Sequence, residues 1–220
     1  MALAIFDLDN TLLNGDSDYL WGLFLARQGL VDGAHYAREN ERFYQEYQAG
    51  RLDILEFLRF SLRPLAEHPP ELLRQLRERF LSEQIDPIIL PAGRALIERH
   101  RAAGDTLLIV TATNAFVTAP IAERLGVPHL IATEPEVVDG RYTGNVSGTP
   151  SFQEGKVKRL DHWLRQHGLD LEGSCFYSDS HNDLALLQRV DRPVAVNPDP
   201  QLAEFARARG WPVIDLRATP

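Results

Sequence analysis

With 220 residues, 44% of them hydrophobic and 25% charged, the chain can bury one substantial core with a small appended module, and no apolar run is long enough to span a bilayer. Its formal net charge of −8 disfavours a nucleic-acid partner, because phosphate backbones are gripped by a basic face; an anionic ligand would need a local positive site. Cys175 is the only cysteine and lies in the apolar run 174–177, which excludes an internal disulfide and reads as a small buried hydrophobe.

The opening residues, MALAIFDLD, lack a basic n-region and a small-residue cleavage site. They read as a strand ending in aspartates, not a signal peptide, and a soluble, cytoplasmic protein is expected. The next strongly β-like run, TLLIVT at 106–111, follows only after a long helical stretch with patterns at 18–28, 34–48, 53–62 and 70–84. Residues 16–85 therefore read as an all-helical insert, flanked by a core formed from 1–15 and 86–220.

From 92 onward strand and helix signals alternate: helix 92–103, strand 106–111, helix 116–125, strand 129–133. A hairpin with an Asp-Gly turn at 137–143 comes next. Helix 154–167, strand 174–178, helix 182–189, strand 193–196, helix 200–209 and an edge strand within 211–215 complete the chain. Such alternation implies parallel strands with crossover helices: an α/β, doubly wound, mostly parallel, Rossmann-like sheet interrupted once by a helical cap. In open sheets of this kind ligands sit beyond the carboxyl ends of the strands.

Four strand ends carry polar residues suited to phosphoryl transfer. Asp7-Leu8-Asp9-Asn10-Thr11 follows the first strand, and its alternating carboxylates are costly to hold together without a cation. Magnesium, which takes carboxylate, carbonyl and water oxygens, would relieve that cost. Thr111 ends the second strand with a hydroxyl for a phosphoryl oxygen. Lys156, just inside a helix, offers a point charge. Ser178-Asp179-Ser180-His181-Asn182-Asp183 joins a strand to a helix, with Asp179 and Asp183 four residues apart. Each piece alone has an ordinary reading as a solvated loop, strand terminator, surface lysine or helix-start acid. Their joint occurrence, each beside its own strand, does not.

That set resembles the haloacid dehalogenase superfamily, and within it the subfamily IB branch of phosphoserine and histidinol-phosphate phosphatases with a type C1 helical cap. The resemblance implies a phosphatase in which Asp7 attacks phosphorus to give an aspartyl-phosphate, while Asp9 protonates the leaving oxygen and later deprotonates water. It implies Mg²⁺ held by Asp7, the carbonyl of Asp9 and Asp179, with Asp183 in support. Asn10, Thr11, Thr111, Ala112 and Lys156 are then expected to hold the phosphoryl group of a small-molecule ester, in a monomer or homodimer. Two departures bear on the substrate. Ser178 replaces a glycine common before the fourth-motif aspartate, and Ala112-Thr113-Asn114 replaces the Gly-Gly loop of phosphoserine phosphatases. Both count against phosphoserine, and the segment Asp139-Gly140-Arg141-Tyr142-Thr143-Gly144 followed by Glu154-Gly155-Lys156 resembles the histidinol-phosphatase side of the branch more closely, which points to an amino-alcohol phosphate such as histidinol phosphate. Asp16, nine residues after the nucleophile, matches a glutamate that receives the substrate ammonium in phosphoserine phosphatases, and is equally suited to starting a helix.

His181 is a further candidate for facing substrate. Trp21, Phe24, Phe43, Tyr44 and Tyr47 are candidates for the cap's inner wall, and Arg38, Arg42, Arg51 and Arg59 for a substrate carboxylate; packing and solvation are the ordinary alternatives. A phosphorylatable receiver module shares some of these residue types, but it carries its acidic pair and phosphoacceptor on separate strands and has no cap. A phosphotransferase or mutase with the same nucleophile is the other rival.

Overall fold

The computed structural model describes residues 2–218. Strand β1 (Leu3–Phe6) lies in the middle of a six-stranded sheet. To one side are β2 (Thr106–Asn114) and β3 (His129–Thr133); to the other are β6 (Cys175–Ser178), β7 (Arg192–Val196) and the two-residue edge strand β8 (Val213–Ile214). Every pairing within this sheet is parallel. The chain therefore runs outward from β1 in both directions, as a doubly wound sheet must. β4 (Pro135–Val138) and β5 (Arg141–Val146) form a separate antiparallel hairpin, and its turn residues Asp139 and Gly140 both have positive φ, 50° and 74°, the conformation a two-residue hairpin turn demands.

Side chains alternate across the sheet, so successive strand residues build two cores. Ala4, Phe6, Leu107, Ile109, Cys175, Val194 and Val196 face one; Leu3, Ile5, Leu108, Val110, Phe176 and Ala195 face the other. Helices α5 (Pro91–Ala102) and α6 (Ala115–Arg124) cover the first face. Helices α7 (Glu154–His167), the short α8 (Leu184–Leu187) and α9 (Pro200–Arg209) cover the second.

Four helices intervene between β1 and α5: α1 (Ser17–Arg27), α2 (Gly33–Gln48), α3 (Ile54–Glu67) and α4 (Pro70–Phe80). Three start on aspartate caps: Asp16 accepts from the Tyr19 N–H, Asp32 from Ala34 and His35, and Asp53 from Leu55 and Glu56. The chain leaves and re-enters the core through two adjacent segments, tied by hydrogen bonds from Asn14 N–H to the Ile88 carbonyl (2.7 Å) and from Leu90 N–H to the Leu12 carbonyl (3.0 Å). Trp21 and Phe24 of α1 stack on each other, both meet Phe80 of α4 at an angle, and Trp21 reaches Phe116 of α6, so the first core continues into the helical insert.

Several elements differ from the sequence expectation. α3 runs past its expected end at 62, through Pro64, to Glu67, because Leu58, Leu62 and Leu65 keep burying one face and outweigh the proline's missing donor. The helix expected over 70–84 changes at Leu81 into a π-helical turn, Leu81–Ile85, closed by a bond from Asp86 N–H to the Leu81 carbonyl. β2 extends three residues beyond 111, since Asn114 pairs with Thr133 after a shift in register. The expected helix 182–189 is a 3₁₀ turn, His181–Asp183, followed by the single turn of α8. Among the described residues no helix is long and apolar enough to cross a membrane.

Candidate active site

The carboxyl ends of β1, β2 and β6, with the start of α7, converge on a cavity of about 380 Å³ that α1, α2 and the start of α3 roof. Asp7 follows β1 directly, with its N–H bonded to the Tyr177 carbonyl of β6 at 2.9 Å. Asn10, at φ 57°, then turns the chain, and the Leu8 carbonyl accepts from the N–H groups of Leu12 and Leu13. A left-handed conformation suits asparagine better than most residues.

Lys156 is fully enclosed. Its Nζ donates to Asp7 Oδ1 at 2.8 Å and to Asp183 at 2.7 and 2.9 Å. Burial works against the ammonium, but Asp183 and Asp7 outweigh it and hold the lysine above its ordinary range. Its placement depends on Gly155, where the Pro150 carbonyl lies so close that a Cβ would collide with it. Just before, Gln153 adopts φ 46° and ψ −120°, a strained turn that brings its amide to Asn182 Oδ1 at 2.9 Å.

Both oxygens of Asp9 are engaged. Oδ1 accepts from the Ser17 N–H at 2.6 Å and Oδ2 from Thr113 Oγ1 at 2.8 Å, so this carboxyl reaches from the core to the first turn of α1 and back to β2. Burial, then the charge of Asp16, pushes Asp9 up to about 7; burial, only partly offset by Lys156, together with Asp183 and Asp9, does the same to Asp7. A carboxyl near 7 can give and take a proton at neutral pH. Thr111 is buried at the floor with its Oγ1 accepting from the Thr113 N–H, and Ala112 follows it along the cavity.

Asp179 exchanges two bonds with Thr11: the Thr11 hydroxyl donates to Oδ1 and accepts from the Asp179 N–H, both at 3.1 Å. Burial and the charges of Asp7 and Asp183 hold Asp179 well above the usual carboxylate range. Asp183 is committed to Lys156 and to the Ser178 hydroxyl at 2.7 Å. Among the described residues no three His, Cys, Asp or Glu side chains gather into a ready-made metal site. The donors nevertheless suit a hard divalent ion: Asp7 and Asp179 repel each other in a buried place, and one ammonium serves Asp7 and Asp183. Asp9, with both side-chain oxygens occupied, has its carbonyl left to offer.

The structure brings Asp7, Asp9, Asn10, Asp16, Thr111, Ala112, Lys156, Asp179 and Asp183 to one cavity, with Thr11 behind Asp179. Phe43, Tyr44 and Tyr47 also line it, whereas Trp21 and Phe24 pack away from it. None of Arg38, Arg42, Arg51 and Arg59 lines it; Arg42 is held by Glu39, Glu46 and Glu56. His181 bonds Asp199 and turns from the cavity. Cys175 is buried near the other end of the sheet, 3.8 Å from His100 Nε2. Sequence reasoning missed Thr113, although its alternation with Thr111 on one strand puts both hydroxyls on the same face. It also missed Ser178 as the hydrogen-bond donor to Asp183; Tyr47, expected only as an inner-wall aromatic, in addition joins α2 to the core through its hydroxyl, which donates to Ser180 Oγ at 2.7 Å.

A family model described as haloacid dehalogenase-like hydrolase matches residues 4–188. The chain is 48% identical over 219 residues to a histidinol-phosphatase of Neisseria meningitidis serogroup C (strain 8013), covering 98% of this chain and 99% of that one. It is 35% identical over 226 residues to the phosphoserine phosphatase SerB1 of Mycobacterium tuberculosis (strain ATCC 25618 / H37Rv), covering 98% of this chain and 71% of the relative. A crystal structure of a protein of unknown function from Bordetella pertussis Tohama I superposes with a TM-score of 0.92 at 51% identity over 98% of both chains.

Proposed function

The chain belongs to the haloacid dehalogenase-like hydrolases, and from that premise we propose that it is a Mg²⁺-dependent phosphomonoesterase acting on an amino-alcohol phosphate such as histidinol phosphate. The observation that carries the substrate class is the cavity's charge. Lys156 is its one cationic side chain among the described residues, and it is engaged at the floor; the outer wall instead presents Asp16, Asp18 and Glu41. A phosphoserine carboxylate would meet acids there without an arginine or lysine to receive it, whereas an ester with an ammonium and no carboxylate meets complementary charge. The named activity of the Neisseria relative agrees with this reading.

In the proposed reaction Asp7 attacks phosphorus in line with the ester oxygen, forming an aspartyl-phosphate, while the Asp9 carboxyl gives its proton to the departing alkoxide. Water then attacks the acyl phosphate, Asp9 takes its proton, and free phosphate and Asp7 are restored. Lys156, Thr111 and the backbone around Asn10 and Ala112 hold the phosphoryl oxygens. Asp7, the Asp9 carbonyl and Asp179, with Asp183 in support, would hold Mg²⁺, which would supply charge neutralisation at the phosphoryl group. Asp16 offers its remaining carboxylate oxygen to the substrate ammonium, its other oxygen capping α1.

Phosphate release from histidinol phosphate, phosphoserine, sugar phosphates and nucleotides, measured with Mg²⁺ and with excess chelator, tests the proposal. Hydrolysis of histidinol phosphate at least about tenfold above phosphoserine in kcat/KM, abolished by chelation, is expected. Full activity in chelator refutes the metal assignment. A stable phosphoprotein with no turnover would identify a receiver-like module, and transfer to a second alcohol a phosphotransferase.

A further inference from the structure

Asp18 sits in the first turn of α1, where an acid commonly serves the helix dipole, yet the cap there is already supplied by Asp16. Asp18 instead turns to the core: its Oδ1 accepts from Asn114 Nδ2 at 3.0 Å, while Asn114 Oδ1 caps α6 through the Val117 N–H at 3.2 Å. Asn114 is therefore locked from both ends of its amide, and the carboxylate it holds lines the cavity with one oxygen left over. Burial, then the charges of Asp16 and Asp9, raises Asp18 to about 8, only partly offset by the bond from Asn114, and the one cationic side chain of the cavity among the described residues, Lys156, is engaged with Asp7 and Asp183. Burial and the charge of Asp18 likewise hold the Tyr36 phenol on α2 above its usual range.

One turn beyond Tyr36 on α2 stands Asn40, which is 7% exposed, lines the same cavity and has an Nδ2 with no hydrogen-bond partner. A buried amide donor without a partner is unfavourable and calls for an acceptor. Around it the wall is apolar: Phe43 and Phe57 meet edge to face with centroids 5.3 Å apart, and Tyr44 and Ile54 also line the cavity.

Resting on the proposed substrate class, we propose that Asp18, held by Asn114, and Asn40 are the specificity-determining receptor for the leaving group, Asp18 taking the cationic nitrogen and Asn40 donating to an acceptor nitrogen of a flat ring. Asp16 and Asp18 then flank the ammonium, and the ring lies along Phe43 and Phe57 with its acceptor at Asn40. The roles are separable, because a cationic ester without a ring uses Asp18 and leaves Asn40 idle.

The test measures kcat and KM for histidinol phosphate, ethanolamine phosphate and p-nitrophenyl phosphate with wild type, Asp18→Asn, Asp18→Glu and Asn40→Leu. Asp18→Asn is expected to lower the kcat/KM ratio of histidinol phosphate to p-nitrophenyl phosphate about 10- to 100-fold, mainly through KM, and the ethanolamine ratio similarly, with partial recovery in Asp18→Glu. Asn40→Leu, close in volume and unable to donate, is expected to lower the histidinol ratio and spare the ethanolamine ratio. A wild type that prefers histidinol phosphate, with ratios unmoved by Asp18→Asn, overturns this assignment and leaves the function standing. A wild type with no preference for cationic esters overturns both. Because each variant is judged by a ratio within one preparation, a loss common to all three esters, as misfolding would give, counts against the assignment.

Discussion

The floor and the wall of the cavity are built on different terms. Floor residues are over-determined: Asp7, Asp9, Lys156, Asp179 and Asp183 each make at least one protein hydrogen bond, and their backbones sit at the ends of adjacent paired strands or the start of a helix packed on them. Wall residues hang from helices of the insert, where Asn40 Nδ2 has no partner among the described residues and Asp18 is held through one oxygen alone. Chemistry that must be reproduced within fractions of an ångström belongs on the sheet, while selection between leaving groups belongs where side chains can change without disturbing it.

The largest expected effect is on the floor. Asp7→Asn should abolish turnover of every ester alike, because an amide fits the site but is no anionic nucleophile; circular dichroism should remain native. A rate within about tenfold of wild type, near 1.4 kcal/mol in barrier, would remove the covalent mechanism. Next is Asp9→Asn, which should cost about 10²- to 10⁴-fold with an alkyl ester and much less with p-nitrophenyl phosphate, whose leaving group needs no proton. Equal losses in the first chemical step would mean that Asp9 is not the leaving-group acid.

Smaller effects sharpen the contrast through stability. Gly155→Ala forces the Pro150 carbonyl away and should destabilise the fold by about 1–3 kcal/mol in urea unfolding, with loss of activity as Lys156 shifts. Unchanged stability would show that the loop before α7 yields freely. At the wall, Asp16→Ala should cost about 1 kcal/mol by uncapping α1, whereas Asp16→Asn should keep the cap. If both variants raise KM for histidinol phosphate equally, the charge matters to substrate; if neither does, Asp16 serves the helix alone.

The floor was also the more legible part in sequence. Acidic and hydroxyl residues placed just past apolar runs announce strand ends, and the order of four such runs fixed which residues could meet. Asn114 and Asp18, ninety-six residues apart, gave no such signal, because their contact depends on how α1 sits over β2. The same holds for Asn40: whether an amide on an amphipathic helix meets water or an enclosed cavity is decided by packing of the whole insert. At Pro64 the conflict is local, since a proline ordinarily ends or kinks a helix and here a buried leucine face sustains it.

The wide turn at Leu81–Ile85 is, in counting terms, one residue more than an α-helix needs. Each α-helical residue advances the chain by about 100°. The wide turn spends that angle within itself, so deleting a single residue there would let the backbone close an ordinary turn with little rotation of what lies on its far side. The junction between insert and sheet is thus a place where chain length can change by one residue while the roof keeps its aim.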